Sequence, residues 1–191
     1  MQPEDVSFDY LTSLVKQFRY YRSLGEKAMS QLSDAQLSWQ FNNESNSIAI
    51  IVNHLGGNMR SRFTDFLTSD GEKPWRNRDE EFVNRFVSRD KILECWNEGW
   101  DLLLQAIDSL GEEDLAKVVY IRNEGHTVIE ALNRQLAHYS YHVGQIVFIA
   151  KMLADKNWQT LSIARNRSGD YNTIKFERDK SRRHFTDDEL S

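Results

Sequence analysis

Proline stands at only two positions of this 191-residue chain, Pro3 and Pro74, and the apolar residues around them recur at steps of three and four. Proline removes a helical hydrogen bond and clashes with the preceding turn, so its scarcity frees long stretches to be helical. The period says which stretches those are. Phe8, Leu11, Leu14, Val15, Phe18, Tyr21 and Leu24 place one apolar face on a first helix from about residue 5 to about residue 31. Ser33 to Gln36 has the form of a capping box on a short turn, and Ser47 can cap a second helix running from Ile48 through His54 to about Leu67. Gly56 and Gly57 within it each cost about 1 kcal/mol relative to alanine, which points to close packing just after His54. Residues 71–87 are rich in charge around Pro74 and show no period, so they read as a long crossover.

Ser88 can cap a third helix whose stripe, from Ile92 and Leu93 through Trp96, Trp100, Leu103 and Ile107 to Leu110, is closed by Gly111. Residues 112–125 form a polar connection with an apolar patch, Val118 to Ile121, that can pair as an extended segment or tuck against the helices. Thr127 and Glu130 form a capping box for a fourth helix continuing to about Ala154. Four amphipathic segments with one long connection give an all-α expectation: a four-helix bundle with a crossover between helices two and three. Residues 1–165 would form that domain and residues 166–191 a charged surface tail. The apolar cluster from Trp158 to Ile163, with five tryptophans in the chain, suggests a docking surface and a homodimer.

Several classes of function fall away. A net charge of -5 gives no electrostatic case for nucleic acid. No apolar run approaches the roughly 18 residues a membrane span needs, and residues 1–5 lack a signal-peptide pattern, so a cytoplasmic protein is expected. Cys95 is the sole cysteine, which excludes an intrachain disulfide and a cysteine-rich zinc cage. Any metal must be held by His, Asp or Glu.

In the stretch Gln135-Leu-Ala-His138-Tyr-Ser-Tyr-His142-Val-Gly-Gln145, two histidines four apart lie on one helix face, where their ring nitrogens can converge on one ion. His54, within another core helix, is the candidate third ligand. His126 and His184 read as exposed and idle. A single helical histidine is more often a partly buried side chain satisfied by hydrogen bonds, and it is the three together that favour a metal. Asn58, four after His54, and Gln145, three after His142, share a face with a candidate ligand and could bond a ring nitrogen or bound water, although an amide at the edge of a helix packing seam is the plainer reading of both. Tyr141 could donate to a bound anion, and Arg76 and Arg78 could clamp an anionic substrate if the crossover covers the site, although a packing tyrosine and exposed loop charges are the plainer readings. Glu130 would sit about 12 Å along the axis from His138, too far for the same ion. Cys95 reads as a small buried hydrophobe.

A histidine in helix two, a long crossover and His138 with His142 in helix four resemble the DinB-like superfamily of YfiT-like metal-binding four-helix bundles, which includes bacillithiol and mycothiol S-transferases and a mycothiol-dependent maleylpyruvate isomerase. Phe63 to Asp79 with Glu81-Phe82, and Trp158 to Ile163, are similar to a branch of bacterial proteins that carry a domain of unknown function. The resemblance covers most of residues 8–165 and implies that His54, His138 and His142 are the metal ligands. All-imidazole ligation suits zinc, nickel, copper or iron, and a divalent ion, zinc or nickel first, is expected. Three imidazoles leave a position open, where the ion could lower the pKa of water to about 7 for a hydrolase or hold a thiolate for a thiol S-transferase acting on a small-molecule substrate. The thiol would be a low-molecular-weight one. A non-catalytic dimer held together by metal is the alternative, and no catalytic acid, base or nucleophile is assigned.

Overall fold

The computed structural model describes residues 6–86 and 88–188. It is mostly helical, with helices α1 (Val6–Met29), α2 (Asp34–Leu37), α3 (Ile48–Phe63), α4 (Arg89–Asp108), α5 (Val128–Ala154) and α6 (Ser168–Phe176). A two-stranded antiparallel sheet, β1 (Val118–Ile121) and β2 (Glu124–Thr127), precedes α5. The mostly helical architecture agrees broadly with the all-α expectation, and of the two readings of the apolar patch Val118 to Ile121 the extended one holds, paired in a hairpin. Its two-residue turn, Arg122-Asn123, has both residues at positive φ (56° and 61°), the left-handed geometry that matches strand twist.

The expected caps form. Ser47 accepts from the Ile50 amide at 3.2 Å and Ser88 from the Lys91 amide at 3.4 Å. Thr127 and Glu130 exchange bonds, with the Thr127 amide donating to Glu130 Oε2 at 2.7 Å and the Glu130 amide to Thr127 Oγ1 at 3.2 Å. The second long helix is shorter than its period suggested. It stops at Phe63 because Thr64 is extended and Asp65 turns left-handed at φ 51°, a conformation aspartate tolerates. Phe66 then folds back on Phe63, with ring centroids 5.4 Å apart.

α3 packs on α4 and α1 on α5, while α3 also meets α5 and α1 meets α4. Between them lies an aromatic core. Phe18, Trp96, Trp100 and Tyr139 are fully or almost fully buried, and Trp100 lies 6.3 Å from Phe18, 5.4 Å from Trp96 and 5.9 Å from Tyr139. Gly25 admits Trp96: a Cβ there would sit 2.4 Å from the indole.

The crossover is tied to its surroundings. Asp70 accepts the backbone amides of Glu72 (2.7 Å), Arg122 (2.9 Å) and Asn123 (2.8 Å), and the Gly71 amide donates to the Tyr120 carbonyl at 2.8 Å. Ser61 on α3 donates to the Gly71 carbonyl and accepts the Lys73 amide. A single 3-10 turn, Asp79–Phe82, follows and lies against α3.

The C-terminal segment departs from a solvated tail. After α6 it returns to α1, where His184 meets Ser13 Oγ at 3.0 Å, Lys16 pairs with Asp187 at 2.7 Å and Phe185 lies 5.7 Å from Tyr20. Thr186 is fully buried there. His184 is therefore neither exposed nor idle. Among the described residues no helix is long and apolar enough to cross a membrane.

Candidate metal centre

His54 comes from α3 and His138 and His142 from one face of α5, and their Nε2 atoms converge. His138 Nε2 lies 3.2 Å from His54 Nε2 and 3.1 Å from His142 Nε2, and one ligand atom from each ring falls within 4.8 Å of the others. Nitrogens bound tetrahedrally to zinc at about 2.0–2.1 Å stand about 3.3 Å apart, so the spacing is that of a ligand set. His54 and His142 are buried and His138 half-buried.

The outward nitrogens are fixed. His54 Nδ1 donates to Glu81 Oε2 at 2.9 Å, and His142 Nδ1 donates to the Gln145 amide oxygen at 2.9 Å. With Nδ1 as donor, a neutral imidazole presents a bare Nε2 lone pair. Burial first, and then electrostatic repulsion from neighbouring groups, His142 and the Arg62 and Arg76 guanidiniums among them, pushes His138 down to about 3. His142 is pushed down to about 4, by burial first and then by His54. Both rings are therefore neutral at pH 7 and ready as ligands. Mutually facing lone pairs, short of protons to share, are what a cation satisfies, so the residues present fit a divalent ion.

Glu81 is the residue that sequence reasoning missed. Its carboxylate bridges His54 and Arg76, whose Nε and Nη2 reach Oε1 and Oε2 at 2.7 Å and 2.8 Å. Burial opposes its ionisation, but the bonds from His54 and Arg76 hold the carboxyl below its ordinary range. Gly57 makes the space: a Cβ there would lie 2.4 Å from Glu81 Oε1. The one sequence signal was that glycine pair, since Glu81 follows His54 by 27 positions in a stretch without period. Phe82 next to it stacks on His54 at 4.9 Å.

The other expectations divide. Gln145 bonds a ligand ring as proposed. Asn58 lines the cavity, and its amide oxygen accepts from Tyr139, the buried tyrosine, at 2.9 Å. Burial pushes that phenol well above its ordinary range. Tyr141 is 63% exposed with its ring edge on His142, so it neither packs in the core nor faces the centre. Arg76, read among the loop charges, has only 2% of its side chain exposed, and Glu81 and Glu72 engage all three of its nitrogens. Glu130 serves the cap. His126 lies 3.2 Å from Arg134. Cys95 is buried against α3, and burial pushes its thiol up.

The histidines open into a cavity of about 320 Å³ lined also by Asn58, Gln135, Phe82 and the arginines 62, 76, 78, 122 and 134. Fold and site together define a mostly helical protein with a three-histidine cluster close enough to hold a metal ion. Residues 5–167 match the model of a family described as "Protein of unknown function (DUF1572)", and the chain belongs to that family. The match spans every residue of the centre and ends at the residue before α6. Among curated proteins no match is found.

Proposed function

We propose that this protein is a metal-dependent enzyme of the DinB-like type, in which α1, α3, α4 and α5 form a four-helix bundle and His54, His138 and His142 hold one divalent ion, zinc or nickel. The observation that carries this reading is the convergence of three Nε2 atoms at the foot of an open cavity. When bound, the ion would supply a Lewis acid able to polarise a substrate oxygen or keep a thiol deprotonated, which are the requirements of a hydrolase and a thiol S-transferase. Glu81 orients His54 and raises the basicity of its inner nitrogen, Gln145 does the same for His142, and Arg76 fixes Glu81. The cavity receives a small molecule, and a centre that opens to a cavity favours an enzyme over a non-catalytic, metal-stabilised dimer. In this proposal residues 1–165 form the catalytic domain, residues 166–191 an appendage to it, and the protein works in the cytoplasm as a homodimer.

Metal analysis of the purified chain should find about one divalent ion per chain, and chelation should lower the melting temperature because the ion binds the folded state. No metal together with a melting temperature indifferent to chelation overturns the metal centre. S-conjugation of electrophiles with a panel of low-molecular-weight thiols, run beside a hydrolase panel, tests catalysis. Activity that survives both His138→Ala and His142→Ala would place the chemistry elsewhere.

A further inference from the structure

Five arginines face the cavity beside the histidines, in a chain whose formal net charge is -5. Their partners sort them into two groups. Glu72 Oε2 receives Arg62 at 3.2 Å, Arg76 at 3.1 Å and Arg122 at 3.1 Å, and Glu81 takes the other edge of Arg76. These three guanidiniums belong to the wall. Arg78 and Arg134 have no carboxylate partner among the described residues. The Arg78 guanidinium lies over the Phe82 ring at 5.2 Å, and that ring stacks on His54. Arg134 precedes His138 by one turn on the same helix face, about 6 Å along the axis, and its guanidinium lies 3.2 Å from His126 Nε2.

Glu72 and Glu81 hold three of the five guanidiniums, which leaves Arg78 and Arg134 as the two without a carboxylate partner among the described residues. Among the described residues Phe82 is the only apolar side chain in the cavity lining. A neutral apolar molecule gains little from such walls, whereas an oxyanion meets planar, rigid donor forks. Gln135, only 3% exposed, adds an amide oxygen with no hydrogen-bond partner among the described residues, an acceptor for a ligand hydroxyl or amine. We infer that the cavity binds a small molecule bearing a carboxylate or phosphoryl oxyanion, gripped between Arg78 of the crossover and Arg134 of α5 so that its remainder reaches the three histidines. This deepens, and rests on, the metal-centre reading of the same site.

The test is isothermal titration of the full-length protein as purified with inorganic phosphate and, separately, with succinate, at low ionic strength and with metal content measured on each sample. Wild type should bind at least one probe saturably at one site. The double variant Arg78→Gln with Arg134→Gln should bind it at least tenfold more weakly with unchanged metal content, and Arg134→Lys, which keeps the charge but loses the fork, should fall between. Both side chains are exposed, so melting temperatures should stay near wild type. A preference for phosphate assigns a phosphoryl ligand, and one for succinate a carboxylate. Binding of neither probe, or equal binding by the double variant, overturns the inference. A protein that carries no metal yet binds anion through these two arginines sinks the metal centre and leaves the anion site standing; loaded protein whose anion binding ignores both arginines does the reverse.

Discussion

At the scale of the residue, Glu81 carries more of the centre than its place in a single 3-10 turn suggests. Truncation in Glu81→Ala takes the acceptor from His54 and leaves the buried Arg76 guanidinium without its main partner. Metal affinity should fall about 10–100-fold, and stability by about 3–5 kcal/mol, the cost of breaking a buried ion pair from one side. Competition with a chelator and urea unfolding measure the two; an alanine variant that holds metal as wild type does would remove Glu81 from the centre. Gln145→Ala should weaken metal binding while sparing the fold, because Gln145 engages only the outer nitrogen of His142. The three clustered histidines were legible in the sequence: spacing put His138 and His142 on one face, and His54 stood in a second apolar helix. Tyr139 and Tyr141 were harder to tell apart, since both neighbour the pair in sequence. A two-residue offset is about 200° of helix rotation, which puts Tyr139 in the core and leaves Tyr141 63% exposed.

Among elements, the α3–α4 contact sets how near the crossover can come. A Cβ on Gly56 would meet Cys95 Sγ at 2.4 Å, whereas one on Gly57 would meet the Glu81 carboxylate. The two adjacent glycines should therefore fail differently. Gly56→Ala overpacks a helix interface and should lower stability by about 1–3 kcal/mol, read in urea. Gly57→Ala displaces Glu81 and should lower metal affinity by a larger factor than it changes the melting temperature. If Gly57→Ala binds metal normally, the carboxylate has somewhere else to go and the spacing argument is wrong. Helix starts were readable because Ser47, Ser88 and Thr127 each act within three residues of themselves. The end of α3 and the β1–β2 hairpin were not, since Asp65, Arg122 and Asn123 adopt left-handed backbone without glycine, and their geometry is held by long-range partners such as Asp70.

For the molecule as a whole, the coupling of ligand protonation to folding has a definite sign. His138 and His142 take up protons only near 3 and 4 in the folded state, whereas an unfolded histidine does so near about 6.5. Below about 6.5 the unfolded chain binds more protons, so stability contributed by these rings is complete above that pH and is lost as pH falls toward about 4. Chelated protein followed by thermal melts from pH 7 to pH 4 should show this loss, and His138→Ala with His142→Ala should flatten it. The C-terminal return to α1 escaped sequence reading for a reason of the same scale: Ser13 and His184 are 171 positions apart, and no local pattern joins them. One consequence follows from Asp70, which clasps the tip of the hairpin and the start of the crossover with a single carboxylate. That carboxylate ties the turn that carries Arg122 to the segment that carries Arg76, two side chains of the cavity lining, so Asp70→Ala should loosen both walls together, read as faster amide exchange at Glu72, Arg122 and Asn123.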